Sequence, residues 1–173
     1  NPKSADGWLE DEVMSTARAE LMKFVRKSDR HGRFRIYYPV TEGRADIYVH
    51  SKITIVDDRI IRVGSANLNN RSMGLDSECD LMIDALLPAN KGAAETIAML
   101  RADLMAEHLG VSVDTVDAKF PQTGSLIRTI EAFSGSQGRG LVVFVPVKPD
   151  GVGRGLAQMS FWPGRQSQLA ALP

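Results

Sequence analysis

A histidine and a lysine two residues apart open the part of this chain best suited to chemistry. The run is His50-Ser51-Lys52, then four residues, Asp57, six residues, and Gly64-Ser65-Ala66-Asn67; Glu78 follows eleven positions after Asn67. With six positions specified at roughly one in twenty each, a chance match anywhere in the chain is on the order of one in a million. A phosphodiester is an anion that resists attack by another anion. A neutral imidazole is therefore a suitable nucleophile, and a phosphohistidine splits the displacement into two easier steps. Lys52 and Asn67 have the charge and the donors to stabilise the non-bridging oxygens as the transition state forms, and Ser65 adds a hydrogen bond. Glu78 has the reach to hold the second ring nitrogen of a histidine, fixing its tautomer and supporting the imidazolium. The scheme requires neither a metal nor a cofactor.

Those residues need a scaffold that faces them one way. Asp46 to Val56 reads as a strand, with Ile47, Val49, Ile53 and Ile55 on one parity and Tyr48, His50, Lys52 and Thr54 on the other. His50 and Lys52 then share a face, about 6.5–7 Å apart along the backbone. Asp57-Asp58 reads as a turn into a second strand, Arg59 to Val63. Gly64 frees the backbone to approach a ligand closely, and Ser65 and Asn67 repeat the i, i+2 relation.

Around this hairpin the sequence alternates helices and strands. A helix is expected from about Trp8 to Lys27, capped by Asp6, with Leu9, Val13, Ala17, Leu21, Phe24 and Val25 on its apolar side. Strands are expected over Arg33–Val40 and Ser77–Asp84, the first followed by a turn at Glu42-Gly43 and the second ended by Pro88. Helices follow over Ala93–Leu109, stopped by Gly110; over Val113–Lys119, capped by Ser112; and over Gly124–Phe133. Ser134 to Gly140 reads as a linker and Leu141 to Val147 as a buried strand, with a Gly- and Pro-punctuated tail from Lys148. The fold class is α/β, a mixed β-sheet sandwiched between helices. Two parts are expected: a catalytic unit over residues 1–134 and a strand with a loosely ordered tail over 135–173.

The motif resembles the HKD signature of the phospholipase D superfamily. Ile47-Tyr48-Val49-His50, Asn67 through Met73 and Asp76 through Leu81 look like the later half of bacterial members, and Leu100 through Gly110 looks like the helix that follows there. The likeness covers residues 8 to 118. It implies a half-domain and an active site at the junction of two similar halves. It also implies that Asp57 lies away from the phosphate and supports the turn, so Asp57 and Gly64 are structural members of the motif. Family members bring two HKD motifs together, whereas no second His-x-Lys occurs here. His31 precedes Gly32-Arg33 and His108 precedes Leu109-Gly110. The partner is either an upstream half of a longer protein, favoured because the chain begins Asn1-Pro2, or a symmetric copy. By analogy with two-motif members, His50 is the general acid and later the base that activates water or an alcohol. The histidine pair then predicts a bell-shaped pH–rate profile.

The chain has 173 residues, 43% hydrophobic, with 21 Lys plus Arg against 21 Asp plus Glu. That is enough for a core, and zero net charge disfavours a nucleic-acid partner. Cys79 is the single cysteine, which excludes an internal disulfide; its strand-like surroundings suggest a small core residue. No apolar run is long enough to span a membrane. The expected substrate is a phospholipid, cleaved to phosphatidic acid or transferred to an alcohol. The alternatives are a metal-independent nuclease acting as a homodimer and a catalytically silent half-domain. Asn69, Asn70, Arg71 and Ser72 read equally as substrate-loop or turn residues. His31 reads as an exposed connection, and His108 as a favourable charge at a helix C-terminus. Phe161-Trp162 is the candidate contact with a membrane surface.

Overall fold

The computed structural model describes residues 1, 8–135 and 138–146. Among the described residues five helices and five strands form: α1 Trp8–Ser28, β1 Tyr37–Val40, β2 Lys52–Val56, β3 Ile60–Gly64, α2 Asn70–Gly74, β4 Asp80–Asp84, α3 Ala93–Leu109, α4 Val113–Thr123, α5 Leu126–Phe133 and β5 Gly140–Val143, with a 3₁₀ turn at Pro88–Asn90. The described residues fall into two compact units, 1–36 with 143–146, and 37–142. The Asp6 cap, the tail from Lys148 and Phe161-Trp162 lie outside the described residues.

The α/β class is observed, with the strands in two small sheets. β1 pairs with β5, and β2-β3-β4 form an antiparallel meander. In the meander Ile55, Ile61 and Ile83 share one cross-strand row and Ile53, Val63 and Leu81 the next. Alternation puts both rows on one face. Helix α3 packs against β3, and Ile61 is buried, whereas Ile53, Val63 and Leu81 are exposed.

The helical core of the larger unit follows from small residues on α3. Ala102, Ala106 and Leu109 are buried with Val116 of α4, and Ile130 and Phe133 of α5 and Leu141 of β5 pack against them. Alanine favours the helix and lets neighbouring backbones approach. Gly110 ends α3 at φ 70°, with its N–H donating to the Ala106 carbonyl. Ser112 caps α4 by accepting from the Thr115 N–H, as expected. The helix then passes through Pro121 to Gly124, beyond the expected end at Lys119. Proline so near the C-terminus removes only one N–H from the helix ladder.

Two expectations about strands and packing are corrected. The strand expected over Asp46–Val56 begins only at Lys52. Before it, Asp46 makes an isolated bridge to Val40, and the Ile47 N–H donates to the Pro39 carbonyl. Parity alone does not supply hydrogen-bond partners, and β3 leaves the ladder after Gly64, opposite Lys52. Among the described side chains of α1, Thr16, Ala19 and Met22 are buried, while Leu21 and Phe24 are exposed. That helix is apolar on more than one side, so periodicity did not select the buried stripe; the side chains of Leu9, Val13 and Ala17 lie outside the described residues. No helix among the described residues is long and apolar enough to cross a membrane.

Candidate active site

Register brings the chemically suited residues to one end of the meander. Lys52 on β2 pairs with Gly64 on β3, and Gly64 with Asp80 on β4. His50 lies two residues before β2, Ser65 and Asn67 just after β3, and Glu78 two residues before β4. Three separate segments thus meet at the same edge because antiparallel pairing aligns their ends.

The hairpin joining β2 to β3 explains this alignment. Asp57 and Asp58 both take left-handed φ, 52° and 51°, and the Arg59 N–H donates to the Val56 carbonyl at 3.0 Å. Those φ signs are those of a type I′ turn, whose twist suits a hairpin. Asp57 is exposed at this turn, at the opposite end of the strands from His50 and Lys52. Its neighbour Asp58 carries the anchoring contact: its carboxylate accepts from Arg101 Nε at 2.6 Å and from the guanidinium Nη2 at 2.8 Å. The Arg101 guanidinium lies 4.4 Å from the centre of the Phe120 ring. The Asp58–Arg101 contact ties the hairpin tip to α3.

At the other end, the Ser65 hydroxyl donates to the Glu78 carboxylate at 2.5 Å and accepts from the Cys79 N–H at 3.0 Å. The Ser65 N–H donates to the Cys79 carbonyl at 3.1 Å, extending the β3–β4 ladder by a step. Glu78 therefore holds Ser65, and no histidine among the described residues hydrogen-bonds to it. Lys52 Nζ donates to the His50 carbonyl at 2.5 Å, which folds the ammonium back along its own chain. The His50 ring stacks beside Tyr48, with centroids 6.3 Å apart and planes inclined by 17°. His50, Ser65 and Asn67 are exposed. An imidazole, an ammonium, a carboxamide and a hydroxyl backed by a carboxylate thus border one open edge, a set suited to an anionic, diester-like group.

Gly64 is required, though for a reason other than ligand approach. A Cβ there would stand 1.7 Å from Asp80 Oδ1 and 2.7 Å from the Asp80 Cα. Asp80 in turn pairs with Arg62 at 2.9 Å. Both residues escaped the sequence reading, although a charge inside Ile60-Ile61-Arg62-Val63 was itself a signal, because a charge in a strand interior needs a partner.

Cys79 is exposed, which corrects its reading as a core residue. It precedes β4, outside the apolar part of that strand. Asn69 caps α2 by accepting from the Ser72 N–H at 2.8 Å, Ser72 is buried, and Arg71 pairs with Asp76 at 2.9 Å. Those three side chains serve the loop's own structure; that of Asn70 lies outside the described residues. His31 is exposed, as expected. Burial lowers the His108 pKa, aided by Arg139 and opposed by Glu107, which works against a favourable imidazolium at the end of α3. Among the described residues no group of three or more His, Cys, Asp or Glu side chains is placed to hold a metal ion.

Comparison with known proteins gives the family. A family model described as phospholipase D matches residues 19–140. The chain belongs to the phospholipase D family. It is 36% identical over 101 residues to a phospholipase D of Phytophthora infestans, covering 52% of this chain and 6% of that protein. Phospholipase D alpha 1 of Carica papaya is 44% identical over 73 residues, 40% of this chain and 9% of its own length. Phospholipase D1 of Schizosaccharomyces pombe is 38% identical over 94 residues, 49% and 7% respectively. The chain therefore matches less than a tenth of the length of these relatives. They come from an oomycete, a plant and a yeast, and lend no support to a specifically bacterial origin. No solved structure matches the chain.

Proposed function

We propose that this chain supplies one of two half-sites of a phospholipase D-type phosphodiesterase. The enzyme hydrolyses phospholipid or transfers its phosphatidyl group to an alcohol, through a phosphohistidine intermediate. The observation that carries this reading is the register gathering His50, Lys52, Ser65, Asn67 and Glu78 at one sheet edge, within a chain of this family. His50 protonates the leaving alcohol and then takes a proton from the attacking water or acceptor alcohol. Lys52 turns from the His50 carbonyl to the phosphoryl oxygens, which Asn67 also meets. Ser65, oriented by Glu78, adds a hydrogen bond there. The second half, upstream in a longer chain or in a symmetric copy, brings the histidine that becomes phosphorylated. The relatives are all phospholipases D, which favours a lipid over a nucleic acid as substrate.

The test is the parent protein acting on phosphatidylcholine with ethanol present, wild type against His50→Ala. Phosphatidylethanol is expected from the wild type, with a loss of about 10²–10⁴-fold in the variant, the usual worth of a general acid–base group. Cleavage of a nucleotide diester without any lipid product would replace the substrate class. Trapping phosphate on His50 during turnover would reverse its role.

A further inference from the structure

We infer that the Arg62–Asp80 ion pair positions the Ser65–Asn67 loop by holding both backbone groups of Ala66, and so sets the rate of the chemical step. This rests on the reading of the site given above and adds two residues to it.

The Arg62 guanidinium meets the Asp80 carboxylate at 2.9 Å, with the two side chains only 18% and 26% exposed. The same guanidinium nitrogen donates to the Ala66 carbonyl at 3.3 Å. On the other side, the Ala66 N–H donates to Asp80 Oδ1 at 3.4 Å. Each backbone bond is long, and a long bond alone orients little. Together they fix the peptide planes on both sides of one residue, and the two anchoring side chains are locked to each other. Ala66 is buried, while its neighbours Ser65 and Asn67 are exposed. Loop packing therefore holds the middle residue and leaves the two functional side chains to be aimed by the backbone.

Gly64 belongs to the same device. Asp80 can lie across β3 only because position 64 has no Cβ, which would fall 1.7 Å from Oδ1 and 2.6 Å from Cγ. The glycine provides the close approach, the aspartate fills it, and the arginine neutralises the aspartate. A pair of charges this sheltered brings little net stability over apolar residues; its geometric role is to specify one loop conformation. Displacements of about 1 Å in a site of this kind cost on the order of 10²-fold in rate.

The test uses the parent protein in the phosphatidyl-transfer assay, together with backbone hydrogen exchange. Arg62→Met is expected to lower kcat about 10- to 100-fold with KM changed less than about threefold, and to speed exchange at the Ala66 amide while the amides of α3 stay unchanged. Arg62→Lys, which keeps a charge for Asp80, is expected to recover part of kcat. Asp80→Ala, which removes the acceptor of the Ala66 N–H, should reproduce the effect of Arg62→Met, and the double variant should lose no more than the larger single loss. Unchanged exchange at Ala66 with wild-type kcat would overturn the proposal. So would a loss carried wholly by KM, or additive losses in the Arg62/Asp80 pair. If the wild type shows no phosphatidyl transfer, the reading of the site fails by itself, and the exchange at Ala66 still decides whether the pair holds the loop. Should Arg62→Met fail to fold, Asp80→Asn, which keeps the shape of the side chain and removes its charge, decides by the same two readouts.

Discussion

Two adjacent aspartates at the hairpin tip should differ sharply in what they contribute. Asp57 carries the motif position, yet Asp58 carries the contact. Replacing Asp58 by Ala removes two charge-assisted hydrogen bonds, at 2.6 and 2.8 Å, to an arginine whose side chain is only 12% exposed. A third guanidinium nitrogen, Nη1, is buried without a partner among the described residues, so the loss leaves a poorly solvated cation. Breaking a fully buried pair costs 3–5 kcal/mol. Asp58 is 31% exposed, and water entering at that side lowers the expected cost to about 2–3 kcal/mol. Asp57→Gly should be neutral or slightly stabilising, because φ 52° suits glycine and the side chain makes no hydrogen bond among the described residues. Urea unfolding followed by circular dichroism reads both, the midpoint shifting at constant slope. Asp58→Ala/Arg101→Met should cost less than the two single losses added together. Equal midpoints for Asp57→Gly and Asp58→Ala, or simple additivity with Arg101→Met, would refute the anchoring role.

Two pH effects follow from burial and pairing. Burial holds the His108 imidazole below its ordinary 6.5 in the folded chain, so the unfolded chain binds the proton first. That stability is present above pH 6.5 and declines as pH falls toward the folded value; in His108→Gln the fall in urea midpoint between pH 7.5 and 5.5 should be smaller. The Arg59 side chain, and next the Leu86 N–H, hold the Asp84 carboxyl down from 3.8 to about 2. Its contribution is present above pH 4 and is lost as pH falls through 2, so Asp84→Asn should flatten the acid limb of the midpoint–pH curve.

The motif was legible because it is local. The six-position spacing, the Asp57-Asp58 turn, the Gly110 stop and the Ser112 cap each depend on a few consecutive residues, and all were read at their observed places. The positions that depend on a neighbour far along the chain were not legible. Nothing in Asp46–Ser51 announces that its pairing with β1 stops at a single bridge at Asp46, so alternation was extended six residues too far. Cys79 has strand-like company in sequence, yet it sits at the sheet end, where side chains reach solvent. Arg62 and Asp80 are separated by seventeen intervening residues, and only the register of β3 with β4 makes them partners. Gly64 was read as a glycine that lets the backbone approach a ligand; what approaches it instead is the Asp80 carboxylate, which follows from that same register.

The exposure of the site edge bears on how the chemistry is completed. A phosphoryl transfer gains from donors acting where water is excluded, since their interaction with developing charge is then far stronger. Here His50, Ser65 and Asn67 are all exposed, and Lys52 spends its ammonium on the carbonyl of His50. A bound diester would draw the ammonium away from that carbonyl, because an anion is the better partner. The Ser65–Glu78 pair and the Arg62–Asp80 clasp, by contrast, are already assembled. The chain therefore holds a preorganised backbone and an unshielded set of reacting groups. That division supports the proposal of two half-sites. Under that proposal each half would fix its own loop geometry, and apposition of the second half would remove the water that weakens the first.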